Sequence, residues 1–439
     1  MSYEMIKTSL DDFIDFRNGK SSPDRTPEGE FDVFGSNGVI GQCEEKNASE
    51  FSLIIGRVGS YCGSVYQSKK ACWVTDNAII GALRNKDESN FWYFLLTRLD
   101  INAMSSGSGQ PLINQKTLKN IQVRVPLSSS TRVDIGNYLS LFNEKIKVND
   151  DINQTLEQMA QALFKSWFVD FEPVKAKITA LEAGGSQEDA TLAAMTAISG
   201  KDADALAVFE REHPEQYAEL KATAELFPSA MQDSELGEIP EGWALESLSD
   251  IATFANGKVD VSSLTPDTYV STENMLENRA GISRASSLPS VNSVPEFRRG
   301  HVLISNIRPY FKKIWLARFE GGRSADVLAF EARDAVTVEY IYNLLYQESF
   351  FDFMMLTSKG VKMPRGDKKA IMGWRCICPD KKISNAFSKT VGEYYSFIEI
   401  NNEQNKTLTQ LRDTLLPKLL SGEITLPEAE QAVSEAENV

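Results

Sequence analysis

The chain has 439 residues but only two histidines, His213 and His301, and five cysteines, Cys43, Cys62, Cys72, Cys376 and Cys378. Two histidines exclude a His-rich metal centre. Cys376-x-Cys378 has no second cysteine pair or nearby histidine to complete a zinc site, so we expect no metal and read the pair as small residues on a strand. An odd cysteine count argues against a disulfide framework and for a reducing compartment. No apolar run approaches the ~20 residues needed to cross a bilayer. The opening Met1-Ser2-Tyr3-Glu4-Met5-Ile6-Lys7 lacks the basic flank and apolar core of a secretory leader. A cytoplasmic protein without membrane association is expected. Catalytic signatures are missing too: there is no G-x-G-x-x-G, no Asn-Pro-Pro or Asp-Pro-Pro, and no G-x-S-x-G. Pro379-Asp380-Lys381-Lys382 lacks a spaced acidic partner. No catalytic or cofactor-binding residue is assigned.

What is present is an ordinary globular composition, 42% hydrophobic and 24% charged, at a length that suggests two to four domains. The net charge of −15 is unevenly spread. Residues 1–134 carry 15 basic and 16 acidic side chains, and residues 241–385 carry 19 and 17. Residues 135–240 carry 8 and 19, and residues 386–439 carry 4 and 9. A polyanion is therefore tolerated on the first and third segments and repelled by the other two.

The chain also repeats itself. Ser9-Leu10-Asp11-Asp12-Phe13-Ile14-Asp15-Phe16-Arg17-Asn18-Gly19-Lys20 recurs as Ser247-Leu248-Ser249-Asp250-Ile251-Ala252-Thr253-Phe254-Ala255-Asn256-Gly257-Lys258, with seven of twelve positions identical. Asn153-Gln154-Thr155-Leu156-Glu157-Gln158 recurs as Asn405-Lys406-Thr407-Leu408-Thr409-Gln410. Each half is thus a globular segment followed by a helix. The frames match while the centres differ: Gly56-Arg57-Val58-Gly59-Ser60-Tyr61 in one, Ile304-Ser305-Asn306-Ile307-Arg308-Pro309-Tyr310 in the other.

Apolar residues at Leu139, Phe142, Ile146, Ile152, Leu156, Met159, Leu163 and Trp167 step by threes and fours, interrupted near Asn149 and Asn153. They predict one helix over 135–167, roughly 50 Å long. Ile398, Leu408, Leu411, Leu415 and Leu419 form the second copy, with Pro417 expected to loosen its last turn and Gly422 to stop it. These positions are read as a helix-pairing or partner-binding seam. Asn153 and Asn405 hold equivalent places, open to either a paired contact or solvent. The boundaries follow: 1–134 a first globular module, 135–240 a central helical spacer with a helical insert and linker, 241–385 a second module, and 386–439 a C-terminal helix pairing with the central one, then an acidic tail. The fold class is α+β, two pseudo-repeated α/β modules separated by a long antiparallel helical pair.

Basic loops interleaved with aromatics suit a phosphate-lined groove, where Lys and Arg position the protein and a few side chains read base edges. The second module supplies Arg298, Arg299, Asn306, Arg308, Tyr310, Lys312 and Lys313, then Lys359, Lys362, Arg365, Lys368 and Lys369. The first supplies Arg57, Tyr61, Lys69, Lys70, Ser108, Gln110, Asn114 and Lys116. Its Gly-Ser-Gly loop is no Walker motif, because no Gly-Lys-Ser/Thr closes it.

With these pieces in this order, the chain resembles the DNA-specificity subunits of type I restriction–modification enzymes over nearly its whole length. The doubled Phe-x-Asn-Gly-Lys openings carry the likeness, with Leu163-Phe164-Lys165-Ser166-Trp167-Phe168, Leu415-Leu416-Pro417-Lys418-Leu419-Leu420-Ser421-Gly422 and Leu236 through Trp243. The resemblance implies a non-catalytic subunit with two target-recognition domains, each reading one half of a bipartite site in double-stranded DNA. It further implies helices that space the domains and dock methylation subunits, with restriction/translocase subunits completing the complex. S-adenosylmethionine and ATP are then expected on those partners and not on this chain. The competing reading is a protein-interaction scaffold without sequence-specific DNA reading, which the net charge favours. The segment 180–232 has no counterpart in the other half.

Overall fold

The computed structural model describes residues 3–105 and 111–437. The chain divides into two compact units, Met1–Asp151 with Asn401–Val439, and Ile152–Ile400. No helix among the described residues is long and apolar enough to cross a membrane.

The first unit is built on an antiparallel sheet ordered Ile14–Asn18, Ala78–Leu83, Ser52–Gly56, Val65–Ser68. Of its two inner strands Ser52–Gly56 is buried throughout, in keeping with its apolar centre Leu53-Ile54-Ile55. Successive side chains leave a strand on opposite faces. Leu53 and Ile55 accordingly enter the core under the long helix, and Ile54 enters a second cluster with Phe34, Val74 and Ile80. A smaller sheet, Gly38–Cys43, Phe31–Gly35 and Trp73–Val74, lies in the same unit, its last pair parallel.

The second unit repeats this plan. Its sheet runs Ala252–Phe254, Val327–Ala332, Val302–Ser305, Ile314–Leu316, again antiparallel and in the same chain order. A strand pair closes each module, Met5–Ser9 with Gln122–Pro126 and Ala244–Ser247 with Arg375–Cys378. The last of these strands holds Cys376 and Cys378. The repeated Ser-x-x-Asp of each opening has a local cause. Asp12 Oδ2 accepts from the Ser9 backbone N–H (3.0 Å), and Asp250 Oδ2 does the same for Ser247 (2.9 Å). Each carboxylate closes a turn that delivers Leu10 or Leu248 fully buried into its core.

The two long helices are Ser129–Phe168 and Lys381–Ser421. The first starts earlier than the apolar spacing suggested, because Ser128 Oγ accepts from the Thr131 N–H and caps it. Pro417 does not end the second, which stops at Gly422 (φ +72°). Within the first unit Arg412 donates to Asn143 (2.6 Å), and Asn149 donates to Gln404 (2.7 Å) and Asn405 (2.8 Å). Residue numbers fall on one helix as they rise on the other, so this stretch is antiparallel. Asn405 also donates to Asp150 (2.8 Å), which makes the polar break in the seam a bonded layer.

The buried line differs in part from the expected seam. Leu139, Phe142, Trp167, Leu415 and Leu419 are buried, and Ile146, Leu156, Leu163, Ile398, Leu408 and Leu411 are half-buried. Ile152 and Met159 stand 37% and 45% exposed, and Asn149, Ala160 and Phe164 occupy the inner face instead. Strict steps of three and four drift around a helix of 3.6 residues per turn, so a pattern read through the polar break lands one position off.

The segment without a counterpart folds as helices Glu172–Glu182, Gln187–Ser199, Ala203–Glu212 and Pro214–Leu226. Phe227 beyond them meets Trp167 edge-on, ring centroids 5.1 Å apart. The expected acidic tail is a helix, Leu426–Glu437. Glu428 accepts from Thr425 N–H (2.6 Å) and Oγ1 (2.8 Å), and Tyr3 Oη accepts from Leu426 N–H (2.6 Å).

One carboxylate of the second unit is poorly housed. Glu157 faces Tyr342, Gln161 and Arg318, and its Oε1 is buried without a partner. Burial pushes the carboxyl from 4.5 up to about 6, against the pull of the Tyr342 and Gln161 hydrogen bonds and the Arg318 charge. A raised acid binds its proton more tightly in the folded chain, so stability falls as pH rises from 4.5 to about 6 and stays lowered above. Glu157→Gln is therefore expected to stabilise by about 1–2 kcal/mol at pH 8. Denaturant titration at pH 8 and pH 4.5 checks this, the gain vanishing at the lower pH.

Candidate nucleic-acid interface

In each module the inner strand of the sheet runs into a loop that is stitched to a second loop by backbone hydrogen bonds. In the first, Arg57 N–H donates to Asn77 O (2.9 Å), Gly59 N–H to Pro111 O (3.2 Å), and Ile113 N–H to Arg57 O (3.0 Å). In the second, Asn306 N–H donates to Asp326 O (2.8 Å), Arg308 N–H to Pro364 O (2.8 Å), and Gly366 N–H to Asn306 O (3.1 Å). This matched stitching pairs Arg57 with Asn306, Gly59 with Arg308, Tyr61 with Tyr310, and Asn114 with Asp367. Asn114 and Asp367 each cap a short helix, Gln115–Lys119 and Lys368–Met372, accepting from backbone N–H groups two or three residues on. Each first loop closes in a tight turn, Gly59–Tyr61 or Pro309–Phe311, whose tyrosine is 49% exposed at 61 and 46% at 310.

Most basic residues proposed as contacts are already engaged within the protein. Lys69 pairs with Glu144 (3.0 Å), Arg298 with Glu296 (2.9 Å), and Arg299 is bidentate on Glu399. Lys312 pairs with Glu348 (2.6 Å), and Lys313 donates to Thr272 O (2.9 Å). Lys359 binds Asp367 and Arg365 binds Asp326 (2.9 Å). Arg57 donates to Asp76 O (3.3 Å) while its Nε is buried without a partner. Asn306 is buried, donates to Gly366 O (3.2 Å), and leaves its Oδ1 unpartnered. The stretch 298–318 holds no acidic residue, yet the fold brings carboxylates to it from Glu296, Glu348 and Glu399. Lys70, Lys116, Arg308, Lys362, Lys368 and Lys369 remain exposed, and their side chains make no hydrogen bond or ion pair among the described residues. Ser108 and Gln110 lie outside the described residues.

The second module's first loop is held from another side by residues that the sequence reading passed over. Asn278 N–H donates to Phe311 O (2.8 Å) and Arg279 N–H to Lys312 O (2.9 Å). Arg279 and Lys312 both clasp Glu348, and its carboxyl is held below the ordinary range by the hydrogen bonds from Lys312 and Arg279, against burial. Arg308 (φ +50°), Lys312 (φ +50°), Asn278 (φ +54°) and Arg279 (φ +64°) all take the left-handed backbone region. Such residues cost of order 1 kcal/mol each and persist where the surroundings over-determine them. The second loop bares two apolar side chains, Val361 and Met363. Local sequence carries no signal for this wall, since 278–279 and 308–313 meet only on folding.

A family model for the type I restriction modification DNA specificity domain matches residues 4–158. The HindI type I restriction enzyme specificity subunit of Haemophilus influenzae is 32% identical over 328 residues, covering 72% of this chain and 71% of that protein. The chain belongs to the type I restriction enzyme specificity subunits. The MjaIX specificity subunit of Methanocaldococcus jannaschii is 23% identical over 351 residues, 74% of this chain and 66% of that protein. In fold, the specificity subunit resembles the crystal structure of the type I restriction-modification S subunit from M. genitalium. The TM-score is 0.54 at 16% identity, over 95% of this chain and 96% of that one. As a specificity subunit it is a DNA sequence-recognition component, and catalysis belongs to other subunits of such systems.

Proposed function

We propose that each module reads one half of a bipartite duplex site through its stitched pair of loops. One observation carries this reading: the same backbone frame occurs in both units with different side chains at its tips, Gly59 against Arg308. A shared frame with unlike tips suits one task on two targets. The exposed lysines near the tips supply phosphate contacts, which set affinity and register without reading sequence. The paired helices set the gap between half-sites. Their exposed apolar residues, Leu141, Ile152, Met159 and Phe397 among them, dock methylation subunits. Restriction/translocase subunits complete a cytoplasmic assembly, with S-adenosylmethionine and ATP bound on the partners.

The test replaces residues 9–134 with the corresponding module of a relative and maps the genomic methylation pattern conferred with the methylation subunit. One half of the site is expected to change and the other to stay. An unchanged pattern refutes modular reading. The assembled complex is expected to lose affinity for duplex steeply with added salt, as phosphate contacts do; salt-insensitive assembly without DNA binding would mark a protein-interaction scaffold.

A further inference from the structure

The two loop frames exchange a positive-φ glycine for a basic residue twice, Gly63 for Lys312, whose side chain pairs with Glu348, and Gly59 for Arg308, whose side chain is unengaged among the described residues. Gly59 turns the first module's loop at φ +76°, a conformation that glycine adopts without steric penalty. Its counterpart is Arg308 at φ +50°, where an arginine is disfavoured. Glycine would satisfy the same backbone, since the hydrogen bond from 308 N–H to Pro364 O involves no side chain. Packing does not require the arginine either. Its side chain is exposed and, unlike the neighbouring Arg298, Arg299, Lys312, Lys313 and Arg365, makes no hydrogen bond or ion pair among the described residues. It stands two residues from the exposed Tyr310 on a loop pinned by Pro364 O on one side and by Asn278 and Arg279 on the other. A strained backbone thus holds a free guanidinium on a rigid support.

Resting on the DNA-reading function above, we propose that Arg308 is a specificity-determining residue of the second module, its guanidinium taking O6 and N7 of one guanine in the major groove. Among side chains arginine and lysine pair with that edge, and the planar fork of arginine does so through two parallel N–H donors. A phosphate would accept an arginine equally well, so the test separates base from backbone contact.

The experiment uses the full chain assembled with its methylation subunit, on duplexes carrying each single base-pair change in the methylated site. Arg308→Gly restores the residue of the first module and relieves the backbone, so its melting temperature is expected to match or exceed that of the wild type. Its discrimination at one G·C pair should fall about 10- to 100-fold, while the other positions and affinity for unrelated duplex hold. That pair should lie in the half-site that is unmoved by replacing residues 9–134. Arg308→Lys keeps the charge but not the fork, and is expected to lose most of the same discrimination. If Arg308→Gly weakens every duplex alike and Arg308→Lys restores binding, the residue holds a phosphate and the proposal is overturned. If specificity is unchanged in both variants, it is overturned as well. A wild-type complex without sequence preference would refute the underlying DNA-reading function, an outcome distinct from either.

Discussion

Arg132→Ala is expected to destabilise the first unit by about 3–5 kcal/mol, the cost of leaving a buried carboxylate without its partner. Glu88 and Arg132 have side chains only 3% and 6% exposed. Arg132 Nε and Nη2 each donate to one oxygen of Glu88 at 2.8 Å. Ser129 Oγ (2.6 Å) and Trp92 Nε1 (2.8 Å) complete the carboxylate. Arg132 Nη1 donates to the Pro126 and Leu127 carbonyls, which ties the last strand of the module to the first turn of the long helix. Burial alone raises the Glu88 carboxyl, but the bonds from Arg132, Ser129 and Trp92 bring it below the ordinary range. With a lowered acid the contribution is present above the unfolded value and is lost as pH falls through the folded one. Equilibrium unfolding of both proteins at neutral pH measures the loss. A change under 1 kcal/mol would mean water replaces the arginine. The second module makes the same joint from hydroxyls: Thr337 Oγ1 and Ser384 Oγ lie 2.9 Å apart, and Thr337 N–H donates to Ser384 Oγ at 3.0 Å. Ser384→Ala should accordingly cost far less.

The second large effect lies in the other unit. Trp167 is fully buried among aromatic rings, with centroids 5.1 Å from Phe227 and 6.0 Å from Phe387. Truncation to alanine is expected to cost about 3–5 kcal/mol through lost burial and the cavity left behind. Trp167→Phe is expected to cost much less, because the indole Nε1 is buried without a hydrogen-bond partner and nothing polar is forfeited with it. Thermal unfolding of the two variants separates these cases, and equal losses would show that the ring's full width is needed. Phe227 belongs to the end of the helical insert, so the insert is part of this core and its removal should open the same cavity.

The repeat was legible because its signals are local. Ser9 and Ser247 begin capped turns, and long apolar periodicity announces helices. A capping signal of the same kind, Thr425-x-x-Glu428, stood in the segment read as a tail and would have revealed the final helix. Register across the Asn149 layer was less legible, since an antiparallel partner decides which face turns inward. The interface was hardest. Charge density on 298–318 pointed to the loop proposed here, but Glu348 and Glu399 engage Lys312 and Arg299 across distances in sequence that no window spans. Arg308 shares its backbone angle and a glycine twin with Lys312 and differs from it in having a guanidinium left unengaged among the described residues, none of which is visible before the two loops are overlaid.

At Gly59 and Arg308 the stitching between the paired loops runs through a main-chain amide and a proline carbonyl. Any residue compatible with the backbone angle can therefore occupy a tip without loosening the frame. Target preference and folding are thereby decoupled at these positions, and a lineage can exchange one fingertip at a time while the palm beneath stays intact.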